Sequence, residues 1–491
     1  MADLESCILA VDIGTSSLKG VVYDCLGGVV ASVTHRYPAI PQPQQLGWAE
    51  TDSHIWWEAL LVVISQIKQT RNDFYHLKVM ILTGQMHTAV LLDQQGNVLP
   101  PTILWLDRRA ANETVELQKA FQLPAYHLNS TYTLPKLVWL ARNQPDVIKK
   151  ARHLLWPKDY IRYLLTGEIC TDFTEAGGAA LLDWDRMDWA KERLEWAGIS
   201  PSILPPLRQP TDLAGKLRPE IAKQLGINPD TKVLVGVGDV LALVTAAPST
   251  IGQVTCSVGS SSMVFYPLAS GQNCTDSQSR IYNYPLLPYR LFGGVSSTSG
   301  ASITWAAKTF FGDLPFSEAI DLALQVSPGA GGLFFLPFLS GERSPFWNDA
   351  LRGSFYGLTL NHDRNDMLRS VLEGVTFSLR YLLDIFIQNG VSINKIALAG
   401  GATTIPGLPQ IIANVCQYPV AIYSGQETVT QGLYAYACQV LEPNVTFEQA
   451  LQRTFQQPPE LTKPELETGE IYNLIYYQYS QLAEFANGVL K

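Results

Sequence analysis

Clusters of basic residues are missing from this 491-residue chain, in which 35 Lys and Arg face 44 Asp and Glu for a formal net charge of −9. The basic runs are no longer than pairs such as Lys149–Lys150. Affinity for a phosphate backbone comes from clustered Lys and Arg, so a nucleic-acid partner is disfavoured. A run long enough to cross a bilayer is missing too: the most apolar stretch, Val233–Ala247, carries Asp239 at its middle and falls short of the roughly 20 residues required. The start, MADLESCILA, has acidic residues where a secretory leader needs positive charge. Cysteine is sparse, seven residues with no C-x-x-C pair, which reads as reduced, mostly buried thiols. These absences predict a soluble, cytoplasmic protein with no nucleic-acid or membrane partner. What is abundant is core material: 47% hydrophobic residues, with 11 Trp and 21 Tyr, exclude disorder and suit two or three domains.

The most informative stretch is Ile8–Asp24, ILAVDIGTSSLKGVVYD. Two apolar, β-prone runs flank a turn holding Asp12, Gly14, Thr15, Ser16 and Ser17. Gly14 lets backbone approach an anion, and hydroxyls with successive N–H groups can ring phosphate oxygens. Asp12 is placed to hold Mg²⁺ through water, and Lys19 to reach the phosphates as a point charge. A lone D-x-G-T-S string equally fits an ordinary solvent-facing hairpin. A second turn of this kind follows the strand Val254–Val258, with Gly259, Ser260, Ser261 and Ser262. Two such turns suggest two similar domains facing one nucleotide.

Along the chain, a third strand is predicted at Val29–Val33, and the prolines of Tyr37–Ala49 exclude a helix there. Thr51 suits the N-cap of a helix with Trp56, Leu60, Val63, Ile64 and Ile67 on one face. The strand Val79–Thr83 ends in Gly84, Gln85, Met86 and His87, and ligands of α/β folds bind where strands end. On spacing alone His87 fits either a packed histidine or a ligand. Asp107, Arg108 and Arg109 either close over a polar substrate or form a solvated face. Leu134–Leu140 opens a helix with Trp139 in the core, Trp156–Gly167 is a helix, Thr171–Leu182 a small-residue loop and Leu204–Gly215 a surface connection. Lys232–Asp239 reads as a strand ending in a carboxylate, with the helical run Val240–Ala247 after it. Asp239 is then a structural N-cap or a general base. Ser296–Gly300 opens the helix Ala301–Phe311, and Asp366–Leu383 is strongly amphipathic. The strand Ile396–Ala399 enters Gly400, Gly401 and Ala402, a turn that can lie flat against a purine, before the helix Leu408–Cys416. Gly469–Val489 is a Tyr-rich helix.

This order of motifs resembles the FGGY carbohydrate kinases, within the superfamily of actin-like ATPases, from Asp12 to about Ala437. GSFYGLTLNHDRNDMLRSVLEG, Gly353–Gly374, is similar to the family's C-terminal signature and LPKLVWLARN, Leu134–Asn143, to its N-terminal one; GWAE (Gly47–Glu50) and LTGE (Leu165–Glu168) also look like the family. The resemblance implies an α/β fold of two actin-like (ribonuclease H-like) ATPase domains with an interdomain cleft, divided here as residues 1–248 for sugar and first phosphate motif and 249–491 for second phosphate and adenosine motifs. It implies ATP and Mg²⁺. It assigns the phosphate motifs to Asp12, Gly14, Thr15, Ser16 and Lys19 and to Gly259, Ser260 and Ser261, and adenosine to Gly400, Gly401 and Ala402. Asp239 matches the catalytic base, Gln85, Met86 and His87 the sugar side, and Asp12 with Asp239 the metal. Homodimers are common in such families. GQMHTA, Gly84–Ala89, is similar to the xylulokinase pattern, which implies D-xylulose as acceptor; but Val240, Leu241 and Ala242 stand where xylulokinases usually follow the Asp with Asn or Gln. That triplet and GERSPFWNDALRGSFYGL, Gly341–Leu358, are closer to gluconokinases, so gluconate or another polyol or ketose is the alternative. A chaperone-like or cytoskeletal ATPase would lack the Met-His and Asp239 positions, and a homologue that has lost catalysis remains the third reading.

Overall fold

A computed structural model describes residues 7–38, 45, 47–71, 73–245, 252–268, 274, 276–286, 289–423, 428–455 and 459–489. The acidic start, the prolines between residues 39 and 44 and the end of the Val240–Ala247 run lie outside these residues. The chain packs as two units, one of Met1–Pro248 with Val429–Gln457 and one of Ser249–Thr428 with Pro458–Lys491.

In the first unit, β1 (Ile8–Ile13), β2 (Ser17–Tyr23) and β3 (Val29–Arg36) form an antiparallel meander. Helix α1 (His54–Thr70) leads to β4 (Val79–Gly84), which lies parallel to β1. Both faces of β1 and β4 are covered, and their sequences, ILAVDI and VMILTG, accordingly read as continuous apolar runs rather than alternating ones. All five residues expected on the inner face of α1 are buried. Its start differs: Ser53 occupies the N-cap position, Asp52 accepts the His54 N–H, and Thr51 pairs in a short strand with Thr102. Further along come α2 (Thr133–Asn143), α3 (Pro157–Thr166) and α4 (Phe173–Gly178). Helix α4 replaces the loop expected over Thr171–Leu182, because the Asp172 side chain caps it by accepting the Thr174 N–H. Trp139 is half-buried rather than in the core; it meets Trp48 edge-on beneath the Arg109 guanidinium.

The sheet ends in β5 (Leu213–Lys216) and β6 (Lys232–Leu234), in the order β5-β6-β4-β1-β2-β3. The connection expected over Leu204–Gly215 thus supplies an edge strand. The strand expected to run to Asp239 stops at Leu234, since Gly236 takes φ +78° with its Cα against the Leu82 carbonyl, where a Cβ would sit 2.0 Å from that oxygen. The chain turns there into α5 (Asp239–Thr245).

The second unit repeats the wiring. Strand β7 (Gln253–Val258) is antiparallel to β8 (Ser262–Leu268), and β9 (Tyr282–Leu286) and β10 (Tyr289–Ser296) extend that side. Helices α6 (Gly300–Phe311) and α7 (Arg364–Gln388) cover it. Helix α7 runs longer than predicted at both ends, its start fixed by a reciprocal capping box of Asp363 and Asp366. Strand β11 (Lys395–Ala399) is parallel to β7, and α8 (Leu408–Cys416) and β12 (Val420–Ile422) follow. Helix α9 (Thr428–Leu441) then belongs, but for its first residue, to the first unit, where Thr430 bonds the Tyr23 hydroxyl and Tyr434 packs on the Tyr23 ring. Strand β13 (Glu460–Thr462) and α10 (Leu466–Val489) complete the second unit, whose sheet order is β9-β10-β8-β7-β11-β12-β13.

The cysteine expectation needs correction. Cys7 and Cys25 form a disulfide: they lie just beyond the paired ends of β1 and β2, where the Cys7 N–H bonds the Tyr23 carbonyl, with Cα atoms 5.4 Å apart. Cys170, Cys256, Cys274, Cys416 and Cys438 are buried thiols. Among the described residues no helix is long and apolar enough to cross a membrane.

Candidate active site

Asp12 is the penultimate residue of β1, paired across the hairpin with Lys19 and in parallel with Thr83 of β4. The turn closes by a Gly14 N–H to Ser17 carbonyl bond of 3.0 Å, which leaves Ser16 exposed and Thr15 half-buried. Burial pushes the Asp12 carboxyl up to about 6 against the pull of the Lys19 ammonium.

Asp239 opens α5 in the same unit. Its carboxylate accepts the Val240 N–H at 2.8 Å and the backbone N–H of Met86. Burial pushes this carboxyl up to about 7, and the charge of Asp12 adds to the rise. A carboxyl whose pKa lies near working pH suits a general base, and a cation bound beside the two carboxylates would draw both toward ionisation. The segment Gln85–His87 follows β4. His87 sits at φ +68°, a sparsely populated conformation for a side chain of this size, with Nδ1 donating to the Gly178 carbonyl at 2.5 Å and its ring over Tyr132. Met86 packs between Gly178 and Gly238; a Cβ on Gly238 would lie 2.7 Å from its sulfur. Gln85 is turned the other way, its amide donating to the Gly14 carbonyl at 3.2 Å, so it braces the first turn.

Three neighbours escaped sequence reasoning. Trp105 donates through Nε1 to the Thr15 hydroxyl at 2.9 Å, and nothing in TILWLDRR marks it out. The Tyr37 hydroxyl is buried and has no hydrogen-bond partner among the described residues, and burial, then the Asp12 charge, raise its pKa. Glu175 of α4 is fully buried, both oxygens without hydrogen bonds, and burial lifts it far above the ordinary carboxylate range against the pull of Lys158, with Asp159, Asp172 and Asp239 adding to the rise. Of the charges at Asp107–Arg109, Arg109 is clamped by Asp107 at 2.7 Å and Glu50 at 2.6 Å and stacks on Trp48, which joins the DRR and GWAE segments, and the half-buried Arg108 donates to the Trp105 carbonyl at 3.4 Å.

The second unit places Gly259–Ser261 after β7. Gly259 donates to the Ser261 carbonyl at 2.9 Å, and the N-terminus of α6 braces the turn, Gly300 N–H to Gly259 O and Ser299 N–H to Ser260 O at 2.9 Å each. Ser260 is exposed, and the buried Ser262 hydroxyl bonds that of Ser299. Gly400, Gly401 and Ala402 follow β11, Gly400 at φ +80°. Among the described residues no group of three or more His, Cys, Asp or Glu forms a metal cage. Mg²⁺ needs none, being bound through one or two carboxylates plus substrate phosphates, and Asp12 and Asp239 are the carboxylates here that would hold it.

Residues 7–246 match the family described as FGGY family of carbohydrate kinases, N-terminal domain, and residues 254–439 its C-terminal domain. The xylulose kinase of Lactococcus lactis subsp. lactis (strain IL1403) is 32% identical over 444 residues, 88% of this chain and 87% of that protein. The gluconokinase of Bacillus subtilis (strain 168) is 26% identical, with 99% of each chain covered. Among solved structures, a gluconate kinase from Lactobacillus acidophilus superposes with TM-score 0.90 at 28% identity over 99% of each chain, and a ligand-bound xylulose kinase from the same organism with TM-score 0.88 at 28% identity over 97% of each.

Proposed function

Because the chain belongs to the FGGY family of carbohydrate kinases, we propose that it transfers the γ-phosphoryl group of ATP to a hydroxyl of a ketopentose, D-xylulose before others. The observation that carries this is Asp239 held at the start of α5 beside Asp12, with its pKa lifted to about 7. Asp239 orients the attacking hydroxyl and takes its proton as the new O–P bond forms and the bond from Pγ to the bridging oxygen breaks, releasing ADP. General-base assistance of this kind contributes roughly 10²–10⁴ in rate. Asp12 with Asp239 would hold Mg²⁺, which when bound neutralises phosphate charge. Residues 1–248 supply the sugar side, Met86 and His87, and the first phosphate turn with Lys19; residues 249–491 supply Gly259, Ser260 and Ser261 for phosphate and Gly400–Ala402 for adenosine. An enzyme that consumes ATP works where ATP is made, which favours the cytoplasm.

D-Xylulose is supported by the names of the relatives at about 30% identity and by GQMHTA. Gluconate is the second reading, favoured by Val240, which offers no side-chain amide next to Asp239, and by the likeness to the gluconate kinase. The test is ADP release with ATP-Mg²⁺ against D-xylulose, D-ribulose, L-ribulose, D-gluconate, glycerol and erythritol, each beside a sugar-free blank. Stimulation by D-xylulose above the rest is expected. Stimulation by gluconate alone replaces the acceptor, and a flat panel overturns both assignments.

A further inference from the structure

Helix α4 touches both halves of the acceptor side. At its end, the Gly178 carbonyl receives His87 Nδ1, and Gly178 faces the Met86 methyl and the His87 ring, where a Cβ would lie 2.4 Å from Met86 Cε. At its start, the Thr174 hydroxyl accepts the N–H of Gly238, the residue before Asp239, at 2.8 Å and donates to Asp172. Gly238 is wedged between Met86 and that hydroxyl, so the approach is close on both sides. Asp172 is itself locked: it accepts the Thr174 N–H at 2.8 Å and pairs with Lys158 at 2.8 Å, and Lys158 pairs with Asp159, which holds Arg162. Lys158, Asp159, Arg162 and Asp172 are fully buried. Taking these charges out of water is costly and is offset only by pairing and hydrogen bonds of good geometry, so loss of one partner would leave a buried charge uncompensated.

Resting on the kinase reading above, we propose that Thr174 is a positioning residue for phosphoryl transfer, tying the backbone that carries Asp239 to the α4 helix that seats His87, so that base and acceptor are held in register. The tie to Gly238 runs through the Thr174 hydroxyl. Thr174→Val keeps the shape and removes the acceptor, leaving the Gly238 N–H buried and unsatisfied. Small misplacements of a base cost far more in turnover than in binding, since positioning errors of about 1 Å reach roughly 10²-fold.

The experiment compares wild type, Thr174→Val and Thr174→Ser for kcat and KM with the sugar that stimulates ADP release, alongside amide hydrogen exchange over residues 235–241 with each protein folded by its thermal transition. Expected are a fall in kcat of about 10- to 100-fold in Thr174→Val with KM for ATP within about twofold, faster exchange confined to that segment, and recovery in Thr174→Ser to within about threefold of wild type. Wild-type kcat in Thr174→Val overturns the proposal. So does a loss that Thr174→Ser does not recover, since that would reflect packing of the methyl group. If wild type is silent with every sugar, the kinase reading fails by itself and exchange decides: unchanged exchange in Thr174→Val shows that the bond positions nothing, and faster local exchange upholds the tie.

Discussion

The turn after β1 and the turn after β7 sit at equivalent points of two sheets wired alike, each after a strand with an antiparallel neighbour on one side and a parallel one on the other. Register makes the equivalence residue by residue. Asp12 pairs with Lys19 and Thr83, whereas Ser257 pairs with Met263 and Ala399. The first turn therefore carries a carboxylate and an ammonium, and is braced by side chains, Gln85 and Trp105. The second carries hydroxyls and N–H groups only, and is braced by the backbone of α6. One scaffold used twice can thus divide the labour: ion and proton chemistry in one copy, neutral hydrogen-bond donors in the other.

The largest test of that division is Asp239→Asn. Sugar-dependent turnover is expected to fall by about 10²–10⁴, with affinity for Mg²⁺-free nucleotide unchanged by calorimetry, because the turns after β1 and β7 are intact. Turnover in the wild type should rise with pH through about 7 as Asp239 ionises. Stability runs the other way. A raised pKa means that the folded protein keeps a proton which an unfolded Asp, near 3.9, has shed, so this contribution is full below about 3.9 and is lost as pH rises through about 7. Asp239→Asn never ionises and should melt above wild type at pH 8, by roughly 1–3 kcal/mol of stability, with the gap closing toward pH 4. Equal melting at pH 8 would contradict the raised pKa.

Next in size is the paired substitution Asp12→Asn and Ser257→Ala. The first should lower kcat/KM for ATP by roughly 10²–10³, the second by no more than about tenfold, since a single neutral hydrogen bond is worth about 0.5–1.5 kcal/mol and the N–H donors survive. Similar losses in both would break the comparison. His87→Ala should raise the KM for sugar by about 10-fold and leave that for ATP unmoved, in initial-rate measurements with each substrate varied; equal changes would make His87 structural. The smallest effect is expected from Ser260→Ala, less than about threefold in kcat/KM for ATP, since this hydroxyl is exposed and the N–H donors of the turn survive.

The wiring was legible where side-chain pattern and burial agree. The apolar runs of β1, β4 and β7, the turns after them and the amphipathic α7 all declare themselves, and Asp12, Met86, His87 and Asp239 stand at strand or helix ends where a reader looks. What escaped is polar and buried. Lys158, Asp159 and Arg162 in PKDYIRYLLT look like an ordinary solvated face, because only the fold shows that their partners Asp172 and Thr171 arrive from the next segment. The pair Gly177–Gly178 suggested a loop, yet one side-chain cap from Asp172 suffices for a turn and a half of helix. Gly236 ended β6 early for want of room beside Leu82, a contact made only in three dimensions.

Helix α9 bears on how the protein is made. Tyr23, wholly enclosed, finds Thr430 and Tyr434 only after more than four hundred intervening residues. A nascent chain emerging at roughly 5–20 residues per second exposes that part of the first unit for about 10–40 s after residue 248 has left the ribosome. Residues 249–428 of the second unit are synthesised within that interval, so the half bearing both carboxylates is finished late, and a chain released early would leave Tyr23 without the helix that covers it.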